Sequence, residues 1–371
     1  MKKIMGLCNL HAPVTLNELT HARPIASTSF LGRYAFIDFP LSNFSNSGID
    51  EVGILVRNQP RSILKHLGST NVWNTNTKLG YEAIMYNEKF AHTQQYNHDI
   101  NNIIANDWIF FDVKPDLFVI APAHIIYPLD FNKMIAAHEA TGADITILYA
   151  AINDGKVNFV EGDQLSISSE DHIDGMNINK GTKDQIFVSM ETYVLDMLRL
   201  QRLLDIAKAT SAFYSLRDII AYVINHDWKV IGYRHEGYAR HFSSMKQYRD
   251  HSLELLNYDI RKQLFLEDWP IFTVTHDTPP SKYGLQAQVK NSFIANGSRI
   301  NGKVNNSIIS RNVVIEEGAV VKNSIIFTDT KIGKNVRVNN AVIDKHVQIR
   351  EVKDISGTEH DPLYVKQGDR I

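Results

Sequence analysis

The sequence predicts an α/β domain, Rossmann-like and built on a mostly parallel sheet, followed by a left-handed parallel β-helix. Three observations carry that prediction. Up to about Phe265, apolar runs of strand length alternate with segments of helical spacing. Glu267 to Gly284 breaks the alternation with Pro270, Pro279 and Pro280 and reads as a connector. Beyond it, aliphatic residues return every six positions. The corresponding segments are residues 1–265, a linker over 266–285, and 286–371.

In the first segment, strands are predicted at Ile4–Leu7, Val52–Val56, Leu117–Ala121, Ile145–Ala150, Ile186–Met190 and Lys229–Tyr233. The polar run from Ser42 to Asp50 reads as a short helix and its exit, with Gly48 suited to a left-handed end. With Gly32 as the preceding turn and Val52–Val56 as a strand buried on both faces, this is a βαβ step of the kind nucleotide-handling domains use. Any α/β domain can contain such a step. Pro60 suits the first turn of a helix ending near Leu67. Further helices are expected at Phe131–Ala140, Met197–Ala209 and Leu216–Ile224. Ser244 to Gln247 is a capping box, opening a long helix whose Leu256, Ile260 and Leu264 share a face.

The repeat is explicit. Ile294 and Ile300 lie six apart, as do Ile309, Ile315 and Val321, then Ile326, Ile332 and Val338, then Ile343 and Ile349. Asn, Gly, Ser and Asp fill the gaps, and the register slips between sets as it would at turns. Hexapeptide helices also serve acyltransferases, but His346 alone does not support that chemistry.

Composition narrows the function. Of 371 residues, 39 are Lys or Arg and 41 are Asp or Glu, which argues against nucleic acid as the main partner. The single cysteine, Cys8, excludes a disulfide framework within the chain and fits a reducing compartment. The N-terminus reads as a first strand rather than a signal peptide, since Asn9 and His11 interrupt its apolar run. Leu117 to Leu129 is too short to span a bilayer. The expected location is the cytoplasm.

One stretch resembles a known family. Gly32, Tyr34, Ile37, Asp38, Phe39, Leu41, Ser42, Asn43, Asn46, Ser47, Gly48 and Ile49 match G-K-Y-R-I-I-D-F-x-L-S-N-x-x-N-S-G-I of the ADP-glucose pyrophosphorylases (glucose-1-phosphate adenylyltransferases). The α/β domain, connector and β-helix match their architecture, so the resemblance covers nearly the whole chain. It implies attack by glucose 1-phosphate on the α-phosphate of ATP. Such a reaction needs a glycine-rich phosphate turn, a cation, and carboxylates holding a divalent metal.

Those groups are replaced here. The family's L-A-G-G-x-G-T-R-L aligns with Cys8 to Leu16: every glycine is lost, Pro13 removes a donor, and the catalytic arginine is Thr15. In R-A-K-P-A-V the arginine is His21 and the phosphate-contacting lysine is Arg23, so one charge survives. The two metal aspartates align with His124 and His241. Mg²⁺ prefers oxygen, so no metal site and no cofactor are expected on this chain, Mg²⁺ belonging to a catalytic partner. Of G-T-A-D-A-x-x-Q-N only Asn106 remains, and Glu191 replaces the glycine of S-M-G-x-Y-x-F. No catalytic residue is assigned. His235, Glu236 and His241 lack the one-turn helical spacing of a zincin.

Some members of this family are non-catalytic subunits (the GlgD type), and T-x-x-R-P-x-A-x-x-x-F-x-G-R-Y, held by Thr20, Arg23, Pro24, Ala26, Phe30, Gly32, Arg33 and Tyr34, is similar to theirs. The resemblance implies a regulatory role in glycogen biosynthesis, with a catalytic subunit as partner in a hetero-oligomer, expected to be a tetramer. It also implies an anion site for a phosphorylated effector, for which Arg33, Arg57 and Arg61 are the candidates. Two other readings stand beside it: a protein that binds and senses adenylates or sugar phosphates, and a diverged but active nucleotidyltransferase.

Overall fold

A computed structural model describes residues 2–68, 72–73, 80–89, 93, 95–168, 170–210 and 215–371. The chain forms two compact units: Met1–Pro13, Ile37–His241 and Leu266–Phe272 make the first, and Val14–Phe36, Phe242–Phe265 and Thr273–Ile371 the second.

The first unit is built on nine strands: β1 (Ile4–Asn9), β2 (Glu51–Val56), β3 (Tyr81–Tyr86), β4 (Leu117–Pro122), β5 (Ile145–Ile152), β6 (Asp163–Ile167), β7 (Ile173–Ile178), β8 (Ile186–Asp196) and β9 (Val230–His235). Their order is β7-β6-β8-β4-β1-β2-β3, with β5 joining β8 and β9 joining β5. β1, β2, β3 and β4 are mutually parallel, as are β5 and β9, while β8 runs against β4, β5 and β6. β7 runs against β6, so only β7 and β8 are reversed in a mostly parallel sheet. Each of the six strands expected from apolar runs is present. The edge strand β3 and the β6–β7 pair were not expected; β6 and β7 lack the continuous apolar run by which the other strands were read.

The helices of this unit are α1 (Asp38–Asn46), α2 (Pro60–Leu67), α3 (Asp99–Ala105), α4 (Trp108–Val113), α5 (Phe131–Thr141), α6 (Met197–Ala209) and α7 (Leu216–Ile224). Asp196 caps α6 and Ser215 caps α7, each side chain accepting from the backbone three residues on. Leu7, Phe118, Ile120 and Ile147 share one apolar core with Ile100, Leu200, Leu203 and Ile219. α1 lies close against β1: a Cβ at Gly6 would come 2.9 Å from the Phe44 ring. Phe44 is fully buried and pairs with Phe131 at 5.1 Å, a burial worth about 3 kcal/mol.

α1 starts four residues before the polar run that predicted it, and that run explains its grip. Asn43 donates to the Tyr127 carbonyl at 3.0 Å and accepts from the Trp269 indole at 2.9 Å. Ser42 Oγ accepts from Phe272 N at 2.8 Å, and Asn46 donates to the Pro270 carbonyl at 2.9 Å. Gly48 ends the helix at φ 70°, as expected. Ser42, Asn43 and Asn46, three of the residues that carry the family resemblance, therefore hold chain segments together.

In the second unit, the β-helix stacks three five-stranded parallel sheets. Its handedness is that of the hexapeptide register, left-handed. Ile300, Ile309, Ile315, Val321, Ile326, Ile332, Val338, Ile343 and Ile349 all enter its core, with Ile294 packed against it. The turns place Asn291, Asn306, Asn323 and Asn340 at φ between 43° and 47°. Asn291 donates to Asn306 at 3.0 Å and Asn306 to Asn323 at 2.8 Å, an amide ladder along one edge. His346 sits in another column of turns, after Asn312 and Asp329, with φ 61°; it is exposed, its Nδ1 3.6 Å from Asp329.

Residues 242–265 correct one expectation. The single long helix is two, α8 (Met245–Glu254) and α9 (Tyr258–Leu264). Asn257 caps the second, its side chain accepting from Asp259 N at 2.8 Å, and Arg261 donates to the carbonyls of Leu255 and Leu256 at the break. Phe30, Phe36 and Phe242 pack with ring centroids 4.8–5.6 Å apart, and Tyr248 donates to the Ser29 carbonyl at 2.6 Å.

Candidate functional site

The loop leaving β1 is where a triphosphate would meet backbone N–H groups, and two of its donors are used within the chain. Leu10 N donates to the Leu55 carbonyl at 3.0 Å, and His11 N to Asn9 Oδ1 at 3.0 Å. Pro13 offers none. His11 is buried, with Asn102 Nδ2 2.9 Å from its Nε2. Burial, with the nearby Arg57 and His98 charges, pushes its pKa down to about 3, so the imidazole is neutral. Asn102 also donates to the Val56 and Met85 carbonyls. Asn106, the last residue of the sugar-site pattern, donates to Tyr86 and Asn102. Asp99 accepts from Asn9, Ile100 N and Leu216 N, yet burial raises its pKa. These bonds tie His11, Asn102, Asn106 and Asp99 into a buried polar network at this end of the sheet.

Arg23 does not supply a surviving phosphate contact. It is 5% exposed and forms a two-pronged ion pair with Asp344, at 2.9 and 2.6 Å, while donating to Gln367 at 2.9 Å. Tyr364 donates to the same carboxylate at 2.7 Å. The guanidinium is a structural cross-link of the second unit.

The two histidines at the aspartate positions do meet. His124 follows β4, and the short strand Arg240–His241 pairs with Ile125–Ile126, so His241 lies opposite Ile125. The rings stand edge to face with centroids 5.2 Å apart, and both residues are 2% exposed. Between the donors reaches Glu191, a residue the sequence showed only as a lost glycine. β8 changes register between Ser189 and Tyr193, and Glu191 sits in that irregularity at φ 47°. The left-handed backbone costs a non-glycine residue about 1 kcal/mol. Glu191 Oε1 lies 3.2 Å from His124 Nε2. One ligand atom from each of His124, Glu191 and His241 falls within 4.8 Å of the others. Burial alone would raise the Glu191 pKa, but the charge and hydrogen bond of His124, with His241 and Arg217, hold it down to about 2. Burial, reinforced by His124, pushes His241 down to about 3. Mg²⁺ needs an oxygen shell, and two imidazoles with one carboxylate do not fit it.

Of the candidate anion ligands, Arg33 lies in the second unit, on a groove of about 550 Å³ that also presents Tyr34, Arg261, Phe265, Phe293 and Arg311. Arg33 stacks on Tyr34 and Arg261 on Phe293. Arg261 and Arg311 were not visible as companions of Arg33, since about 230 and 280 positions separate them. Arg57 and Arg61 lie in the first unit, just after β2 and in the first turn of α2.

Comparison with known proteins agrees with this anatomy. A nucleotidyl transferase family matches residues 15–158, and a GlmU-like C-terminal hexapeptide family matches residues 279–362. The chain is thus a nucleotidyltransferase-fold protein with a hexapeptide β-helix. It is 28% identical over 345 residues to a glucose-1-phosphate adenylyltransferase of Bacillus thuringiensis, covering 91% of this chain and 90% of the relative. It is 26% identical over 354 residues to the glycogen biosynthesis protein GlgD of Bacillus subtilis, covering 95% and 92%. A glucose-1-phosphate adenylyltransferase of Clostridium perfringens is 29% identical over 332 residues, covering 85% and 82%. Over most of its length the chain is therefore similar to glucose-1-phosphate adenylyltransferases and to a glycogen biosynthesis protein. No helix among its described residues is long and apolar enough to cross a membrane.

Proposed function

We propose that the chain is a regulatory, catalytically inactive subunit of glucose-1-phosphate adenylyltransferase, acting in the cytoplasm on a catalytic subunit that makes ADP-glucose. The observation that carries this reading is the β1 loop: two of its amides donate within the protein, and a buried, neutral His11 stands among the residues that replace the glycines. Loss of one such electrostatic contact typically costs about a hundred- to a thousandfold in rate. Here the glycines, the loop arginine and both aspartates are replaced together. The regulatory effect follows if this subunit packs better against the active conformation of its partner, which shifts the partner's population toward it. A phosphorylated effector is proposed to use Arg33, whose groove offers three guanidiniums and aromatic walls.

The test is ADP-glucose formation by the pure chain, by a catalytic subunit of the same cell, and by the mixture. The expected result is none above background from the chain alone and a higher rate from the mixture. Mg²⁺-dependent synthesis by the chain alone would overturn the proposal.

A further inference from the structure

We propose that His124, Glu191 and His241 form a binding site for a transition metal of the Zn²⁺ type. The site goes beyond the regulatory reading and does not depend on it. Three observations converge. The donors are two imidazoles and a carboxylate, a set that suits Zn²⁺ and its neighbours rather than Mg²⁺. Their positions are close to what such an ion needs. Bonds of about 2.1 Å in a tetrahedral shell put donors about 3.4 Å apart. His124 Nε2 and Glu191 Oε1 are already 3.2 Å apart, and no pair of the three donors exceeds 4.8 Å. Closure on an ion therefore moves the remaining donor by no more than about an ångström and a half.

The third observation is an incomplete hydrogen-bond set. His241 is 2% exposed, and its Nδ1 has no hydrogen-bond partner. A buried ring nitrogen without a partner is uncommon, because burial removes the water that would satisfy it. A metal ion accepts such a lone pair. The surroundings hold the ring in place: Phe159 stacks on His241 at 5.4 Å and 20°, and the two-residue ribbon fixes its backbone opposite Ile125. Glu191 is the least buried of the three, its side chain 20% exposed against 2% for His124. Three protein ligands leave a tetrahedral ion a fourth position for a water or an anionic ligand.

The test uses the full chain, stripped with a chelator and titrated with Zn²⁺ by calorimetry, with Co²⁺ as the spectroscopic probe. One equivalent of Zn²⁺ is expected to bind. Co²⁺ should give the d–d absorption of a low-coordinate nitrogen–oxygen site, and a large excess of Mg²⁺ should displace neither ion. Glu191→Gly removes a ligand while placing at φ 47° the residue that accepts it best, so this variant is expected to fold. Its Zn²⁺ affinity should fall by more than about a hundredfold, because loss of an outer-shell partner alone costs about ten- to a hundredfold. His241→Ala should lose binding as well, with circular dichroism checking its fold. The absence of stoichiometric Zn²⁺ binding overturns the proposal. So does binding that survives in Glu191→Gly, which would place the ion on other histidines, or displacement by Mg²⁺.

Discussion

Arg23 shows how a residue's role depends on where the fold takes it. By sequence it is the one surviving charge of a phosphate site. In the structure it is buried against Asp344 and Gln367. Removing one member of a buried pair strands the other, so Arg23→Ala should destabilise the protein by about 3–5 kcal/mol. Replacing both, as in Arg23→Met with Asp344→Leu, should cost much less, and denaturant melts of the three proteins check this. His11 makes a second prediction at this scale. Its folded pKa, pushed down to about 3, lies below the ordinary histidine value of about 6.5. The unfolded chain therefore takes up a proton that the folded one refuses. The contribution of His11 to stability is whole above about pH 6.5 and declines as pH falls toward 3. His11→Gln should flatten the stability–pH slope near pH 5 by about one proton, about 1.4 kcal/mol per pH unit. Urea melts between pH 4 and 7 read it out.

At the scale of elements, much was legible in local pattern. Pro60, the apolar run of Val52–Val56 and the six-residue aliphatic period all mark their structures through local geometry, so α2, β2 and the β-helix core followed from them. The break between α8 and α9 was also written locally, in Asn257, but the four-residue spacing of Leu256, Ile260 and Leu264 masked it. The turns carry information of the same kind. Asn323 combines φ 47° with acceptance of the Asn306 amide at 2.8 Å. Asn323→Ala should cost about 1–2 kcal/mol, and Asn323→Gly, which keeps the backbone conformation, should cost less; thermal unfolding compares them. The cluster of His124, Glu191 and His241 lay beyond such reading. The histidines were found by alignment, whereas Glu191 stands 67 positions from His124 and meets it only through a bulge in β8.

At the scale of the whole molecule, the chain keeps the architecture of the nucleotidyltransferases it resembles while redirecting polar groups that chemistry would use. The Ser42–Asn46 side chains hold the 269–272 segment, and the amides of Leu10 and His11 donate within the first unit. The stacked coils add a consequence of another kind. Each coil pairs only with the coil before and the coil after it, so protection of its amides is a nearest-neighbour property. Opening can begin at the first coil, where Tyr283, Leu285 and Val289 are exposed, and advance one coil at a time. Amide hydrogen exchange should then be slowest around Val321 and Ile326 and quicken toward Lys282, giving the domain a graded clock rather than a single opening event.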